Sequence, residues 1–287
     1  TLTGPMGQIG GNINSVVLAI AGARRIFDFL EVDPEDYSGE VEKVVKVVAG
    51  KEKYYWHDLK TDEYRELLGD IRFKGVDFSY DGRNKILKNI NLYAKPGQKV
   101  AFVGATGAGK TTITNLINRF YEIDSGEITF DGIDIRRIRK DHLRSSLGMV
   151  LQDTHLFTGT IAENINYSVE DVNMDKTLAV AKRTKAHDFI KNLKDGYDTI
   201  ISGSGGELSE GQMQLLSIAR AEIYNPPVMI LDEATSSIDS RTEKSVQEGM
   251  DQIMNGRTSF VIAHRLSTIM NSDVIIVLEN GEIVERG

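Results

Sequence analysis

The sequence predicts an α/β fold, and three observations along its 287 residues carry that prediction. A short run of small apolar residues at 100–103 leads through a glycine-rich loop into a helical pattern. Two further apolar runs, 228–231 and 259–263, have the length and composition of buried strands. Residues 71–80 alternate between apolar and polar side chains, which is typical of a half-buried strand. We therefore expect a core of largely parallel strands, with an antiparallel portion near 71–100.

Composition excludes several classes of protein. With 40% hydrophobic residues the chain can form one large or two modest domains, and its net charge of −8 argues against nucleic acid as the main partner. The basic run 136–140 is typical of a solvated helix face. The lack of cysteine excludes disulfides, thiolate catalysis and cysteine metal sites, and the five histidines show no metal-ligand spacing. No signal peptide is recognisable, and the longest N-terminal apolar run, 16–22, falls short of the roughly 20 residues that span a bilayer, so we expect a soluble chain.

The glycine-rich loop at 104–112 fits the pattern G-x-x-x-x-G-K-[ST], which wraps nucleotide phosphates. Its glycines let backbone N–H groups converge on an anion, and the N-terminus of the following helix adds partial positive charge. The Lys110 ammonium would reach the β- and γ-phosphates, and the Thr111 hydroxyl would hold Mg²⁺. A glycine-rich turn that binds nothing is the alternative, which the complete motif between a strand and a helix disfavours. The predicted binding residues of this loop are Gly104, Ala105, Thr106, Gly107, Ala108, Gly109, Lys110, Thr111 and Thr112.

The N-terminal segment predicts structure but no chemistry. Apolar residues over 12–30 recur close to helical spacing, which indicates an amphipathic helix that packs on its own domain or docks a partner. Residues 31–69 have the composition of a linker with local structure. Within it, 61–68 predicts a short helix capped by Thr61. We expect the folded domain to begin near Asp70.

Two candidate ligand contacts stand at the ends of predicted strands. Tyr80 ends the strand at 71–80, where it is either a core or surface aromatic or a flat face on which adenine stacks. Gln152 follows a short apolar strand at 148–151. A glutamine there joins a Mg²⁺ shell or orients water, or it is merely a loop residue.

The region 159–225 predicts a helical insertion. Helical patterns cover 174–183 and 187–193. The glycine-rich segment at 202–207 lacks the G-K-[ST] ending, so we interpret it as a flexible loop and not as a second phosphate site.

A strongly periodic helix begins within 208–212 and ends near Tyr224. Ser209 and Gln212 have the spacing of a capping box, and Glu210 is favourable at the positive end of a helix. A well-capped helix is one interpretation. The other is a second anion receptor, because this helix start combines the small Gly211 with a hydroxyl.

A pair of adjacent carboxylates, Asp232 and Glu233, ends the apolar strand at 228–231. Two acids at such a place are costly in the interior unless they serve a cation or a water molecule. With a phosphate loop in the chain, we assign Asp232 to Mg²⁺ and Glu233 to the attacking water. His264 likewise stands directly after an apolar strand, at 259–263.

Taken in order, these motifs resemble the nucleotide-binding domain of an ABC transporter, over residues 70–287. The resemblance rests on Tyr80, the loop 104–112, Gln152, the helix start 208–212, the segments 230–233 and 236–239, and His264. It implies a P-loop NTPase fold of the RecA-like type, with an antiparallel β-subdomain and a helical subdomain. It also implies an ATPase that uses ATP and Mg²⁺.

The resemblance gives several residues a role. It implies that Tyr80 stacks on adenine, that Gln152 senses Mg²⁺ and the γ-phosphate, and that His264 contacts the γ-phosphate. Asp239 belongs to a loop that communicates across a dimer. Two such domains close head to tail in this family, so the helix start would bind ATP held by the phosphate loop of a partner chain. The residues of that helix start are Ser209, Glu210, Gly211 and Gln212.

Residues 4–9 and 21–27 resemble the cytoplasmic end of the last membrane helix in exporter half-transporters. The resemblance implies that 1–30 is this helix end, 31–69 a linker and 70–287 the ABC ATP-binding domain. It implies a fragment of a membrane protein that works at the cytoplasmic face of the inner membrane. Transmembrane domains supplied elsewhere would export a substrate that we expect to be a drug or lipid-like.

One position departs from the family pattern. The family usually has two glycines where this chain has Glu210 and Gly211, and the glutamate places negative charge where a partner's γ-phosphate should dock. We therefore expect a heterodimer with a second, related half-transporter chain in preference to a homodimer. The alternative is that Glu210 turns to solvent and merely stabilises the helix start.

Other ATPase classes fit the sequence less well. A soluble mechanical ATPase of DNA maintenance is the competing class, but such proteins place a long coiled coil between the halves of the site. The stretch from Gln152 to Leu208 shows no sustained heptads. A translation-factor ATPase would carry two such domains in one chain, and Glu233 disfavours a non-catalytic regulatory module. The sequence therefore favours the motor domain of an exporter.

Overall fold

The computed structural model describes residues 3–167, 169, 172–202, 208–232, 240–263 and 269–287, with side chains from residue 12 onward except those of 240 and 241. Contacts divide the chain into two compact units, Thr1–Tyr37 and Ser38–Gly287. The larger unit therefore begins ahead of the expected domain start at Asp70.

The helices and strands of the described residues have the following bounds. The helices are α1 (Thr3–Leu30), α2 (Lys110–Ile117), α3 (Lys140–Arg144), α4 (Ile161–Ile165), α5 (Met174–Arg183), α6 (His187–Ile190), α7 (Glu210–Glu222) and α8 (Ser240–Met254). The strands are β1 (Val41–Val48), β2 (Lys51–Asp58), β3 (Glu63–Glu66), β4 (Ile71–Ser79), β5 (Lys85–Ala94), β6 (Lys99–Val103), β7 (Ser125–Phe130), β8 (Ile133–Asp134), β9 (Leu147–Val150), β10 (Gly159–Thr160), β11 (Ile200–Ile201), β12 (Val228–Asp232), β13 (Thr258–Ile262), β14 (Val274–Glu279) and β15 (Glu282–Arg286).

A six-stranded sheet in the order β15-β14-β6-β13-β12-β9 organises the larger unit. Neighbouring strands are parallel except β14 and β15, which pair antiparallel. Successive residues of β12 enter different hydrophobic clusters: Ile230 packs in the cluster of Phe102 and Phe260, and Leu231 in the cluster of Val150. Both faces of the sheet are therefore buried, which explains why its strands are apolar runs without alternation. This is the predicted α/β core.

A separate antiparallel sheet, in the order β5-β4-β7-β8, forms the predicted antiparallel β-subdomain. Its extent differs from the expected 71–100. Residues 125–134 also belong to it, because β7 pairs with β4 and places Phe130 opposite Ile71. Residues 99 and 100 of the expected range belong instead to β6 of the parallel sheet. Pairing between strands that are distant in sequence determines where this sheet begins and ends, and a local sequence pattern does not show such pairing.

Residues 41–66 form a three-stranded antiparallel sheet where a linker was expected. The predicted helix at 61–68 is wrong, because 63–66 is strand β3. In that strand Tyr64 lies opposite His57, and the two rings stack with centroids 4.3 Å apart. Cross-strand contacts of this kind outweigh the helix propensity of the segment.

Asp131 attaches the chain that follows this small sheet to the rest of the unit. Its carboxylate accepts the indole N–H of Trp56 at 2.9 Å. It also accepts the backbone N–H groups of Leu68, Gly69 and Asp70 at 3.1, 3.0 and 2.8 Å. Burial raises the pKa of Asp131, although these four donors favour its charged form. The small sheet is thereby part of the folded unit.

Helix α1 includes the helix predicted at 12–30. Its apolar side chains are exposed, among them Ile13 at 57%, Val16 at 56% and Phe27 at 61%. In the described part of the chain, no helix combines the length and the apolarity needed to cross a membrane.

The region 159–225 contains the predicted helical subdomain, built from α4, α5, α6 and α7. Helices α5 and α7 share one hydrophobic cluster with α8, to which they contribute Val180, Leu216 and Met250 respectively. The capping box at the start of α7 is present as predicted. Ser209 Oγ accepts the N–H of Gln212 at 3.3 Å, and Gln212 Oε1 accepts the N–H of Ser209 at 3.0 Å.

Candidate functional site

The glycine-rich loop connects β6 to α2, as the motif predicts. Gly107 and Gly109 have φ angles of 82° and 105°, a left-handed conformation that favours glycine. A Cβ atom on Gly109 would also lie 2.6 Å from Cδ2 of Leu87, so a side chain does not fit there. The residues just before α2 therefore include glycines without side chains, so that an anion can approach the backbone N–H groups at the helix start.

Lys110 is the first residue of α2 and is only 8% exposed. Its Nζ donates to the carbonyl oxygens of Gly104 at 2.6 Å and Ala105 at 3.0 Å. An ammonium group has three N–H donors, so these bonds leave one for a ligand. The loop's own carbonyls thus hold the charge of Lys110 at the site.

Tyr80 follows the end of β4 and is 51% exposed. Its hydroxyl lies 3.2 Å from Oγ1 of Thr112, and its ring meets that of Phe78 edge to face with centroids 4.8 Å apart. The ring is therefore anchored but half open to solvent. This placement disfavours a core aromatic and fits either a surface aromatic or a face for adenine.

One cleft of about 550 Å³ brings nine of the predicted site residues together. It is lined by the phosphate loop and by Tyr80, Gln152 and Asp232. Asp232 ends β12 beside Ile262 at the end of β13, and Gln152 follows β9 on the other side of β12. The carboxyl ends of these parallel strands share one edge of the sheet, where ligands bind in open α/β sheets.

Two apolar residues of this cleft, Ile86 and Ile262, were not predicted as part of it. Ile86 lies in β5, a strand that begins at Lys85. Ile262 is a buried strand residue, and its role in the cleft follows only from the sheet order. Ile262 lies opposite Asp232 in the sheet, at the end of the cleft that carries this carboxylate.

The oxygen donors of the cleft fit Mg²⁺. The carboxylate of Asp232, the hydroxyl of Thr111 and the amide of Gln152 all belong to its lining. Mg²⁺ prefers oxygen ligands and is usually bound through one or two carboxylates together with substrate phosphates. The described residues contain no cluster of three or more His, Cys, Asp or Glu side chains suited to a metal by themselves.

Glu210, Met213 and Gln214 in the first turns of α7 line a second pocket, of about 250 Å³, together with residues 152–155. Glu210 is exposed as the first residue of α7, and Gly211 is buried. The Ser209 hydroxyl accepts the capping bond and still has its own hydrogen to donate. Gln152 lines both this pocket and the cleft. The start of α7 and the segment that follows β9 are therefore neighbours.

Three predicted site residues, Glu233, Asp239 and His264, lie outside the described residues, as does the loop segment 203–207. Their roles stay predictions. The structure places what precedes two of them: β12 ends at Asp232 directly before Glu233, and β13 ends at Ile262 shortly before His264.

Comparison with known proteins decides the family. The family model described as ABC transporter matches residues 87–236, which include the phosphate loop, Gln152, the helix start at 208–212 and Asp232. The chain belongs to the ABC transporter family. It is an ATP-binding domain of that family, and such domains hydrolyse ATP to power transport.

Similar proteins include larger ABC transporters. An uncharacterized ABC transporter ATP-binding protein, YfiC of Bacillus subtilis (strain 168), is 44% identical over 286 residues, which are 99% of this chain and 44% of that protein. A fatty acid ABC transporter ATP-binding/permease protein of Mycobacterium bovis is 44% identical over 283 residues, covering 99% of this chain and 42% of that protein. The solved structure of a bacterial Atm1-family ABC exporter with ATP bound matches at a TM-score of 0.71 and 42% identity, over 76% of this chain and 39% of the other. The chain thus spans less than half the length of these relatives.

In this ABC transporter domain, Arg220 ties α7 to the segment that follows Gln152, a role that sequence reasoning missed. Its Nη1 donates to the carbonyl of His155 at 2.9 Å, and its Nε and Nη2 donate to Asn164 at 3.0 and 2.9 Å. Burial lowers the pKa of Arg220. The sequence feature that could have indicated this role is a single arginine within the apolar stretch 215–221 of a periodic helix.

Proposed function

We propose that this chain is the ATP-hydrolysing motor domain of an exporter. The cleft at the carboxyl edge of the parallel sheet, where Lys110, Tyr80 and Asp232 meet, carries the proposal. Lys110 binds the β- and γ-phosphates, and Tyr80 takes the adenine ring. Thr111, Gln152 and Asp232 would hold Mg²⁺, which supplies charge neutralisation at the phosphates.

Glu233 acts on the attacking water in this proposal. It follows Asp232 at the end of β12, so the chain leaves the sheet at the edge that the cleft occupies. A carboxylate there polarises the water and orients it towards the γ-phosphate. His264 contacts the γ-phosphate, and Asp239 communicates with a partner domain.

Substituting Glu233 tests this assignment. Glu233→Gln keeps the shape of the side chain and removes its charge, so ATP binding should persist while hydrolysis slows by about 10²-fold or more. The matched control is Glu279→Gln, which removes an exposed carboxylate from the end of β14. Steady-state phosphate release and equilibrium ATP binding are measured for both. Normal turnover in Glu233→Gln would exclude it as the base.

The exported substrate is proposed to be a drug or lipid-like molecule. Similarity to a fatty acid ABC transporter supports the lipid-like substrate, and similarity to an Atm1-family ABC exporter supports export. A transmembrane domain would work with this domain at the cytoplasmic face of the membrane, and the exposed apolar side chains of α1 suit that neighbourhood. ATP-dependent uptake of labelled fatty acid into inside-out vesicles tests the substrate class. Uptake no greater than with Lys110→Ala would argue against it.

Head-to-tail dimerisation completes the proposed site. Ser209 and Glu210 are exposed at the start of α7 and are absent from the described lining of the chain's own phosphate cleft. The helix start is therefore available to ATP bound by a partner. Turnover per molecule should rise with protein concentration. A turnover number independent of concentration would count against a composite site.

The partner is proposed to be a second, related half-transporter chain. In a homodimer each ATP would meet the carboxylate of Glu210, whereas a partner with glycine at that place would restore one site. The restored site would combine Lys110 and Asp232 of this chain with the partner's helix start. The other site would bind ATP and hydrolyse it slowly.

Removing the charge of Glu210 tests the heterodimer. Glu210→Gly should raise the ATPase activity of the chain on its own. The control Glu210→Gln separates charge from backbone effects, and it should also raise activity if charge is the cause. No gain in either variant, from a wild type that is already fully active alone, would remove the reason for a second chain.

A further inference from the structure

We infer that Tyr121 is a positioning residue for adenine recognition, holding the ring of Tyr80 in the orientation on which the base stacks. The inference rests on the proposed function, in which Tyr80 takes the adenine. Tyr121 is not among the residues that line the cleft, so its effect passes through Tyr80.

Tyr80, Phe78 and Tyr121 form a cluster of three rings. Tyr80 meets Phe78 with centroids 4.8 Å apart and Tyr121 with centroids 4.9 Å apart, and both pairs are edge to face at 85°. Phe78 and Tyr121 also touch, at 5.8 Å and 55°. Phe78 is 2% exposed, whereas Tyr121 is 46% exposed. The Tyr80 ring is therefore supported by a fixed ring in the core and by a second ring at the surface.

The position of Tyr121 is set by the end of α2. Arg119 has a φ of 51° just after the helix, and the N–H of Phe120 donates to the carbonyl of Asn115 at 3.0 Å. The hydroxyl of Tyr80 lies 3.2 Å from Oγ1 of Thr112, near the start of the same helix. The side chain of Tyr80 thus contacts Thr112 near the start of α2 and Tyr121 just after its end. In the proposed function the N-terminus of this same helix binds phosphate. This arrangement fixes the distance between the base-binding and phosphate-binding parts of the site.

Losing the ring of Tyr121 removes one of the two edge-to-face contacts of Tyr80. Tyr80 is 51% exposed, so its ring then has room to leave the stacking orientation. Adenine binding would have to restore that orientation. The cost of one aromatic pair and of ordering one side chain corresponds to about two- to tenfold weaker binding. Binding of the phosphates alone should be unaffected.

The test compares a ligand that has a base with one that lacks it. Dissociation constants for ATP and for inorganic tripolyphosphate are measured for the whole chain and for Tyr121→Leu. ATP binding should weaken about two- to tenfold, while tripolyphosphate binding stays constant. Tyr121→Phe keeps the ring and should restore ATP affinity. Tyr224→Leu, at a tyrosine that is 40% exposed elsewhere, is the matched control. If Tyr121→Leu does not fold, Tyr121→Gln replaces it.

Tyr80→Ala separates this inference from the proposed function. If Tyr80→Ala leaves the preference for ATP over tripolyphosphate unchanged, adenine stacking by Tyr80 is wrong. If Tyr80→Ala lowers the preference and Tyr121→Leu does not, only the positioning role is wrong. Equal loss of both ligands in Tyr121→Leu would also overturn it. When Tyr80→Ala is already present, adding Tyr121→Leu should change ATP affinity less than about twofold, because Tyr121 acts only through the ring of Tyr80.

Discussion

At the scale of the residue, buried charges in this domain are held by partners far along the chain. Glu222 at the end of α7 is 1% exposed. Nη2 of Arg183 lies 2.5 Å from its carboxylate, and Arg257 donates to both of its oxygens. A buried carboxylate is tolerable only with such partners, and removing one member of a buried pair is strongly destabilising.

Glu222→Ala should therefore lower the free energy of unfolding by about 3–5 kcal/mol, because it leaves the guanidinium of Arg257 buried without its main partner. Urea unfolding followed by circular dichroism measures this loss. The control is Glu248→Ala, which breaks an exposed pair with Lys185 and should cost less than about 1 kcal/mol. Equal losses in the two variants would contradict the explanation.

Asp77 makes stability depend on pH. Its carboxylate accepts the N–H of Asn89, the ammonium of Lys85 and the hydroxyl of Ser125, which together lower the pKa of Asp77 to about 2. Because the pKa is lower in the folded state than in the unfolded state, the stabilisation is full above about pH 4 and is lost as the pH falls towards 2. Asp77→Asn should be less stable than the wild type at pH 6, and the difference should shrink as the pH falls through 2 and vanish below it. Thermal unfolding at several pH values measures it, and a constant difference would refute this origin.

At the scale of the element, the sequence predicts well what is fixed locally. The strand β6, the loop and the helix α2 follow from a motif of adjacent residues, and the start of α7 follows from the Ser209–Gln212 capping box. Strand β3 was missed, since its segment has helix-forming residues and becomes a strand only by pairing with β2. The anchor at Asp131 was missed for the same reason, because its partners lie 61 to 75 residues away.

Asp131→Ala should loosen the small sheet of β1, β2 and β3 from the rest of the unit. The substitution leaves the buried indole N–H of Trp56 and three backbone N–H groups without their acceptor, at an expected cost of about 3 kcal/mol in unfolding free energy. Trp56 is the single tryptophan, so its fluorescence reports on this contact directly, and its emission should shift to the red.

Asp131→Asn is the matched control for that substitution. Asn keeps one oxygen, which can accept two of the four N–H groups, and it tolerates the φ of 50° at this position. It should lose less stability than Asp131→Ala and keep most of the Trp56 emission. Identical behaviour of the two variants would show that the acceptor does not hold the sheet.

At the scale of the whole domain, the site is assembled from segments that are distant in sequence. Gln152 and Asp232 were candidates for the phosphate site because each follows an apolar strand, and both line the cleft. Ile86 and Arg220 were not predicted, because their contacts depend on the order of strands and on how α7 packs. A motif identifies which residues carry the chemistry, whereas the walls and supports of the site follow only from the packing.

We expect the loop at 104–112 to bind ATP through Lys110, and equilibrium binding of a fluorescent ATP analogue to the chain tests this role. Lys110 is 8% exposed and is held at the cleft by two loop carbonyls, so an alanine there removes the cation without an obvious substitute. The control Lys95→Ala removes an exposed lysine from the turn before β6. Lys110→Ala should weaken binding by at least about a hundredfold, or about 2.8 kcal/mol, while Lys95→Ala should match the wild type. Wild-type affinity in Lys110→Ala would contradict it.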